Sequence, residues 1–227
     1  MIQEIRSTLL RYAQSTPPSK GVYFKTGPLD YAYHDKFIGV KVPDLREISK
    51  KYLDLEHSHI LELLNSTVNE ERFLALIILV HQYKKSPEST YDFYIENLKC
   101  INNWNLVDAS AHLIIGAHLL DKDKSFLNTL ARSEIMWERR IAIVSTWYFI
   151  KKDLLEWTFS LSQTLMQDKH DLIHKACGWM LREAGKKDTA ALVRFLDHHT
   201  LNMPRTMLRY AIEKFPQDVR QGYLKAK

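Results

Sequence analysis

Trp104 and Asp108 stand four residues apart in a stretch with helical patterning. On a helix that spacing puts both side chains on one face, one turn apart. Trp179 follows Lys175 by four residues, and Trp137 precedes Arg140 by three. Rings interleaved with bases on one face suit a nucleotide, because rings stack or attract cations while Arg and Lys hold phosphates. Asp108 itself reads in two ways on spacing alone. It is a structural ion-pair partner for Arg140 or another nearby base, or it is an acid with a chemical task. His112 lies one turn further on, as a general-base pair would need, but no Ser or Cys is placed to complete a nucleophilic triad. His198-His199 has no further ligand candidates at metal spacing, and no Gly-rich phosphate loop is present. The expectation is therefore no metal and no cofactor.

Five short segments place these residues in a repeat. They are Arg72-Phe-Leu-Ala75, Asp108-Ala-Ser-Ala111, Arg140-Ile-Ala-Ile143, Lys175-Ala-Cys-Gly178 and Arg209-Tyr-Ala-Ile212, whose lead residues lie 36, 32, 35 and 34 positions apart. A period in this range marks stacked two-helix units, each of which needs a neighbour to bury its apolar face. Four lead residues are basic, so stacking is expected to line one surface with charge suited to a phosphate backbone. Asp108 breaks the series. A lone acid would repel that backbone, so a specific task is expected of it.

The helices that must carry this column are legible in outline. Ile2 to Ser15 reads as a first helix and Val42 to Tyr52 as a second, with Pro43 in its first turn. Partner helices are expected around 56–65, 88–99, 122–131, 153–167 and 188–199. Asn69, Asn102 or Asn103, Ser133 and Asn202 are the expected N-caps of the lead helices. Phe73, Leu76, Ile77 and Val80, then Leu113, Ile114 and Ala117, then Ile141, Val144 and Tyr148 follow helical spacing and are expected in the core. The stretch from Tyr23 to Phe37 is the longest irregular segment, with Gly27-Pro28 as a turn signal. No linker or composition shift divides the chain, so residues 1–227 are expected to form a single domain.

Composition agrees with a helical protein. Only 7 Gly and 7 Pro occur in 227 residues, too few for the turns of an all-β fold. Cys100 and Cys177 lie far apart with no CxxC spacing, which argues against a disulfide framework or a zinc site, and Cys177 reads as a small core residue. A net charge of +5 points to a polyanionic partner. No run approaches the roughly 18 apolar residues of a membrane span, and the N-terminus lacks a signal-peptide pattern. A cytoplasmic protein is expected.

The segments Asn103-Trp-Asn-Leu-Val-Asp108, Trp137-Glu-Arg-Arg-Ile-Ala-Ile143 and Lys175-Ala-Cys-Gly-Trp-Met-Leu-Arg-Glu183 resemble the successive motifs of the AlkD family of DNA alkylation-repair glycosylases. Tyr23-Phe-Lys25 and Phe37-Ile-Gly-Val-Lys-Val-Pro-Asp-Leu-Arg46 resemble its N-terminal motifs. The match keeps its order from about residue 20 to 215. The resemblance implies an all-α, HEAT-like helical-repeat solenoid whose concave basic face grips duplex DNA, acting as a monomer without a cofactor. It implies hydrolysis of the N-glycosidic bond of N3- or N7-alkylated purines in base excision repair. It places catalysis on Asp108, Trp104, Trp179 and Arg140, and a further aromatic at the lesion on Tyr23. With Tyr23, the expected DNA contacts are Arg72, Arg139, Lys175, Arg182 and Arg209. Asn105 stands where relatives often carry a second acid, and the Thr26–Lys36 loop is longer than in the best-known member.

That activity fits the residue types. Alkylation at N3 or N7 makes the purine a cationic leaving group, so little acid catalysis is needed at the base. Positive charge grows on the deoxyribose instead, and a carboxylate facing the sugar can stabilise it and position water. Two other readings remain at this stage: a catalytically silent DNA-structure-binding relative, and a protein-binding helical-repeat scaffold.

Overall fold

Apolar residues at helical spacing, with Gly, Pro or Asn at the joints, break this chain into short helices that each need a neighbour. The computed structural model describes residues 1–15 and 24–226 and, among them, thirteen α-helices and no strand. The helices are α1 (Ile2–Ser15), α2 (Val42–Ser49), α3 (His57–Leu64), α4 (Asn69–Tyr83), α5 (Pro87–Glu96) and α6 (Trp104–Ala111). They continue as α7 (Ser125–Ala131), α8 (Met136–Ile150), α9 (Glu156–Thr164), α10 (Asp171–Lys187), α11 (Thr189–His199), α12 (Arg205–Ala211) and α13 (Gln217–Lys225). The described residues group into two compact units, Met1–Ser110 and Ala111–Lys227.

In the first unit α4 is the centre, packed against α2, α3 and α5. Its first ten residues are almost all buried, including Asn69, Glu70, Glu71 and Arg72. The core therefore wraps the helix rather than touching one stripe, as for any helix enclosed by neighbours. Leu74, Ile78 and Leu79 are fully buried, whereas Ile77 and Val80, expected in the core, are only half-buried. Each buried acid has a partner on at least one oxygen. Glu71 receives Arg6 at 3.2 Å, and Glu70 Oε1 accepts the backbone N–H groups of Ile38 and Gly39 at 3.0 and 2.8 Å. Gly39 sits at φ 85°, a conformation that side chains with a Cβ seldom adopt. Burial pushes the Glu70 carboxyl up from its ordinary range, against those backbone hydrogen bonds.

In the second unit α10 is the centre, packed against α8, α9, α11 and α12. Two glycines let lead helices approach closely. A Cβ on Gly178 would strike the Met207 carbonyl oxygen and the Tyr210 Cβ, and one on Gly116 would strike the Ser145 carbonyl oxygen and the Tyr148 Cβ. The two contacts share the same sequence offsets, so the repeat is one of packing as well as pattern. Gly116 closes a π turn (His112–Gly116) that directly follows α6. Such turns insert a residue into a helix and are frequent at functional sites.

The N-caps differ from expectation. Val68 and Ile135 precede α4 and α8, and neither provides a side-chain cap. Asn69 is already inside α4, Asn103 directly precedes α6 as expected but gives its side-chain amide to Asp35, and Ser133 Oγ accepts from Ile135 N at 3.0 Å. Pro204, not Asn202, precedes α12. Cys100 and Cys177 are both free and buried. No helix among the described residues is long and apolar enough to cross a membrane.

Candidate functional site

Trp104 opens α6, and Asp108 follows one turn later, both half-buried. Phe24 stacks on the Trp104 indole, with ring centroids 5.0 Å apart and planes 17° apart. Phe24 also stacks on Phe37 at 4.4 Å and 28°. The indole Nε1–H donates to Tyr31 Oη at 3.2 Å. Asn103, just ahead of Trp104, is fully buried and donates to Asp35 Oδ2 at 2.7 Å. Asp35 Oδ2 also accepts from Asn69 Nδ2 at 2.9 Å, and Asp35 Oδ1 from Arg72 Nη2 at 2.5 Å. Arg72 Nη1 reaches Asn102 Oδ1 at 2.6 Å, and Asn105 Nδ2 reaches Asn69 Oδ1 at 2.6 Å. One enclosed carboxylate thus ties the start of α4 to the start of α6. Such an arrangement is tolerable in a dry interior only because its oxygens receive several donors.

This geometry gives Arg72 a different setting from the exposed column expected of it. Both of its terminal nitrogens bond inside the first unit, and only 5% of its surface is exposed. The periodicity placed it on the inner face of α4, where a cation needs a buried partner, and Asp35 supplies one. Asn105, where relatives often carry an acid, belongs to the same network through Asn69.

In the second unit Arg140 is also buried, and its Nη1 donates to the Leu172 carbonyl in the first turn of α10 at 2.5 Å. Trp179 is half-buried and meets Trp147 edge-on, with centroids 4.9 Å apart and planes at 63°. Trp147 also lies 4.5 Å from the His112 ring, and Lys151 Nζ sits 4.1 Å from its ring centroid. Burial lowers the Lys151 pKa from its ordinary value, and Glu183 opposes the shift. A cation over an indole face is attracted by the ring quadrupole.

The remaining expected contacts differ in availability. Arg139 pairs with Asp168 at 2.5 Å and donates to the Ser133 and Glu134 carbonyls, which fixes the joints before α8 and α10. Lys175 pairs with Asp171 at 2.7 Å on the surface of α10. Arg182 pairs with Glu213. Arg209 is exposed on α12. Tyr23 lies outside the described residues. Among the described residues no group of three His, Cys, Asp or Glu side chains is placed to hold a metal ion.

Sequence reading missed Asp35, Phe24, Tyr31 and Trp147. The first three lie in an irregular segment where no period operates. Trp147 did carry a signal, because it precedes Trp179 by 32 positions, within the repeat range.

A family model described as DNA alkylation repair enzyme matches residues 18–215. Among solved structures, the chain is similar to a predicted DNA alkylation repair enzyme from Enterococcus faecalis. The TM-score is 0.64 at 16% identity, over 82% of this chain and 92% of that one. At that identity the likeness shows the fold, an all-helical repeat. None of the curated proteins matches the chain.

Proposed function

The chain belongs to the family of DNA alkylation repair enzymes, and from that premise we propose that it is a DNA glycosylase. Its substrate is a purine alkylated at N3 or N7 in duplex DNA, such as 3-methyladenine or 7-methylguanine, and its reaction is hydrolysis of the N-glycosidic bond. The observation that carries this reading is the Trp104–Asp108 pair at the start of α6, with the indole held by Phe24 and Tyr31.

In this mechanism the alkylated base leaves as a neutral purine. Its glycosidic electron pair goes to the base, and positive charge spreads over C1′ and the ring oxygen of the sugar. The Asp108 carboxylate stabilises that charge and orients water toward C1′, where the new C–O bond forms and a proton is released. Each tryptophan face offers a cation about 0.5–2 kcal/mol, and Trp104 and Trp179 take that role toward the alkylated nucleotide. Lys175 and Arg209 hold phosphates on a basic face of the helical repeat. Arg140, fixed by the Leu172 carbonyl, sets the register of the second unit on the backbone. The protein works as a monomer.

Incubation with duplex DNA carrying 7-methylguanine, scored for free base, tests the reading. Release above the spontaneous rate is expected. Tight duplex binding with no release would instead assign the chain to DNA-structure binding without catalysis.

A further inference from the structure

The glycosylase mechanism above uses Trp104 and gives the segment from Phe24 to Phe37 no chemical step of its own. That segment is organised throughout. The Lys25 carbonyl accepts from Ala32 N at 3.1 Å, and Gly27 O from Asp30 N at 3.0 Å. Asp30 Oδ2 accepts from Gly27 N at 2.9 Å, and Tyr31 Oη from Lys25 N at 3.3 Å. Ala32 is buried, and Lys36 is pinned to the chain ahead of α4 through Thr67 O and Asn69 N at 2.9 and 2.8 Å. Beside that anchor sits Asp35, which bonds Arg72 and Asn69 of α4 and also Asn103, the residue before Trp104. The carboxylate that fastens the loop is therefore the same one that fastens the start of α6.

The two contacts on the indole are complementary. Stacking by Phe24 sets the tilt of the ring and occupies one face. Stacking alone fixes the plane of the ring but makes no directional contact with its N–H. The Nε1–H···Oη bond to Tyr31 does, because a half-turn about χ2 would carry the N–H away from that oxygen. We propose that the Phe24–Phe37 segment is a positioning element for Trp104. Phe24 and Tyr31 lock the indole in one orientation with one face covered, so that the alkylated nucleotide meets the other face, and Asp35 locks the segment to α6. The inference rests on the reading that Trp104 contacts the substrate. Phe24, Tyr31 and Asp35 act through Trp104, and none of them needs to touch the reacting atoms.

A double-mutant cycle on the full chain tests this, using Tyr31→Phe, which removes only the hydroxyl, and Trp104→Phe, which removes the indole N–H. Single-turnover release of 7-methylguanine, duplex affinity and thermal unfolding are measured for all four proteins. Tyr31→Phe is expected to slow release about fivefold or more, the scale of one lost hydrogen bond, with affinity and unfolding temperature nearly unchanged. In the Trp104→Phe background the same change is expected to have no further effect on release. The indole N–H nuclear magnetic resonance signal that Trp104→Phe abolishes should also move in Tyr31→Phe, a readout independent of activity. A slow Trp104→Phe beside a parent-like Tyr31→Phe would overturn the positioning inference and leave the glycosylase reading standing. Equal effects of Tyr31→Phe in both backgrounds would also overturn it. A parent-like Trp104→Phe would overturn the role given to Trp104 itself, and the inference with it.

Discussion

Asp35 and Arg72 lie 37 positions apart and close an enclosed ion pair, Oδ1 to Nη2 at 2.5 Å, with each side chain about 5% exposed. The pair joins an irregular loop to the buried first turn of α4. A cation in that position does different work from one on the surface, and the difference is measurable.

Arg72→Ala would leave the Asp35 carboxylate buried with only its two amide donors, at a cost of about 3–5 kcal/mol. Arg209→Ala, on the exposed surface of α12, should leave stability within about 0.5 kcal/mol. In the proposed role it should also lower the slope of log affinity against log salt by about one. Urea unfolding and duplex binding at two salt concentrations check both. An Arg72→Ala protein of parental stability would contradict the network.

Two glycine substitutions should change stability in opposite directions. Gly178→Ala pushes a methyl group against the Met207 carbonyl and the Tyr210 Cβ, which belong to a packed helix and have little room to yield. A loss of about 1–3 kcal/mol is expected. Gly222→Ala, inside α13 with nothing near the added atom, should gain about 0.5–1 kcal/mol from helix propensity. Thermal unfolding of the two variants beside the parent decides the matter, and a neutral Gly178→Ala would show that α10 and α12 can move apart freely.

Acid should weaken the start of α10. His170 Nδ1 accepts from Leu172 N at 3.2 Å, a cap that only the unprotonated nitrogen can form. Burial lowers the His170 pKa from its ordinary 6.5, partly opposed by Asp168 and reinforced by Arg139. The folded chain therefore binds this proton less readily than the unfolded chain. Its stabilising contribution is complete above pH 6.5 and is lost as pH falls through the lower folded value. His170→Asn keeps an acceptor that does not titrate, so stability measured between about pH 7.5 and 5.5 should fall less steeply than in the parent. His81, also lowered by burial, leaves a residual slope. An unchanged slope in His170→Asn would exclude the cap as its source.

Where periodicity operates, the sequence was readable. The first helix, Ile2–Ser15, and the partner helices near 57–64, 87–96 and 189–199 lie where apolar spacing put them. Trp104 and Asp108 share the start of one helix, as their spacing of four requires. The caps of α4, α8 and α12 lie elsewhere than expected because a polar side chain near a helix start has two possible uses. Asn69 and Asn103 each serve Asp35, at separations of 34 and 68 positions that no local rule encodes. The same holds for Phe24 and Tyr31, whose contacts depend on how an irregular loop folds back onto α6. Burial of Arg72 and Arg140 escaped the period as well, since a repeat fixes which face a residue takes but not whether that face is dry.

Asp108→Asn tests the proposed chemistry most directly, because it keeps the shape of the side chain and removes its charge. Single-turnover release of 7-methylguanine, duplex affinity and thermal unfolding should be measured on the same preparations. If Asp108 stabilises the sugar cation, release falls about 10²-fold or more, duplex affinity holds or rises because a negative charge has left a DNA-facing surface, and unfolding changes little. A folded Asp108→Asn protein that releases 7-methylguanine within a few-fold of the parent would contradict the assignment and return Asp108 to a structural ion pair.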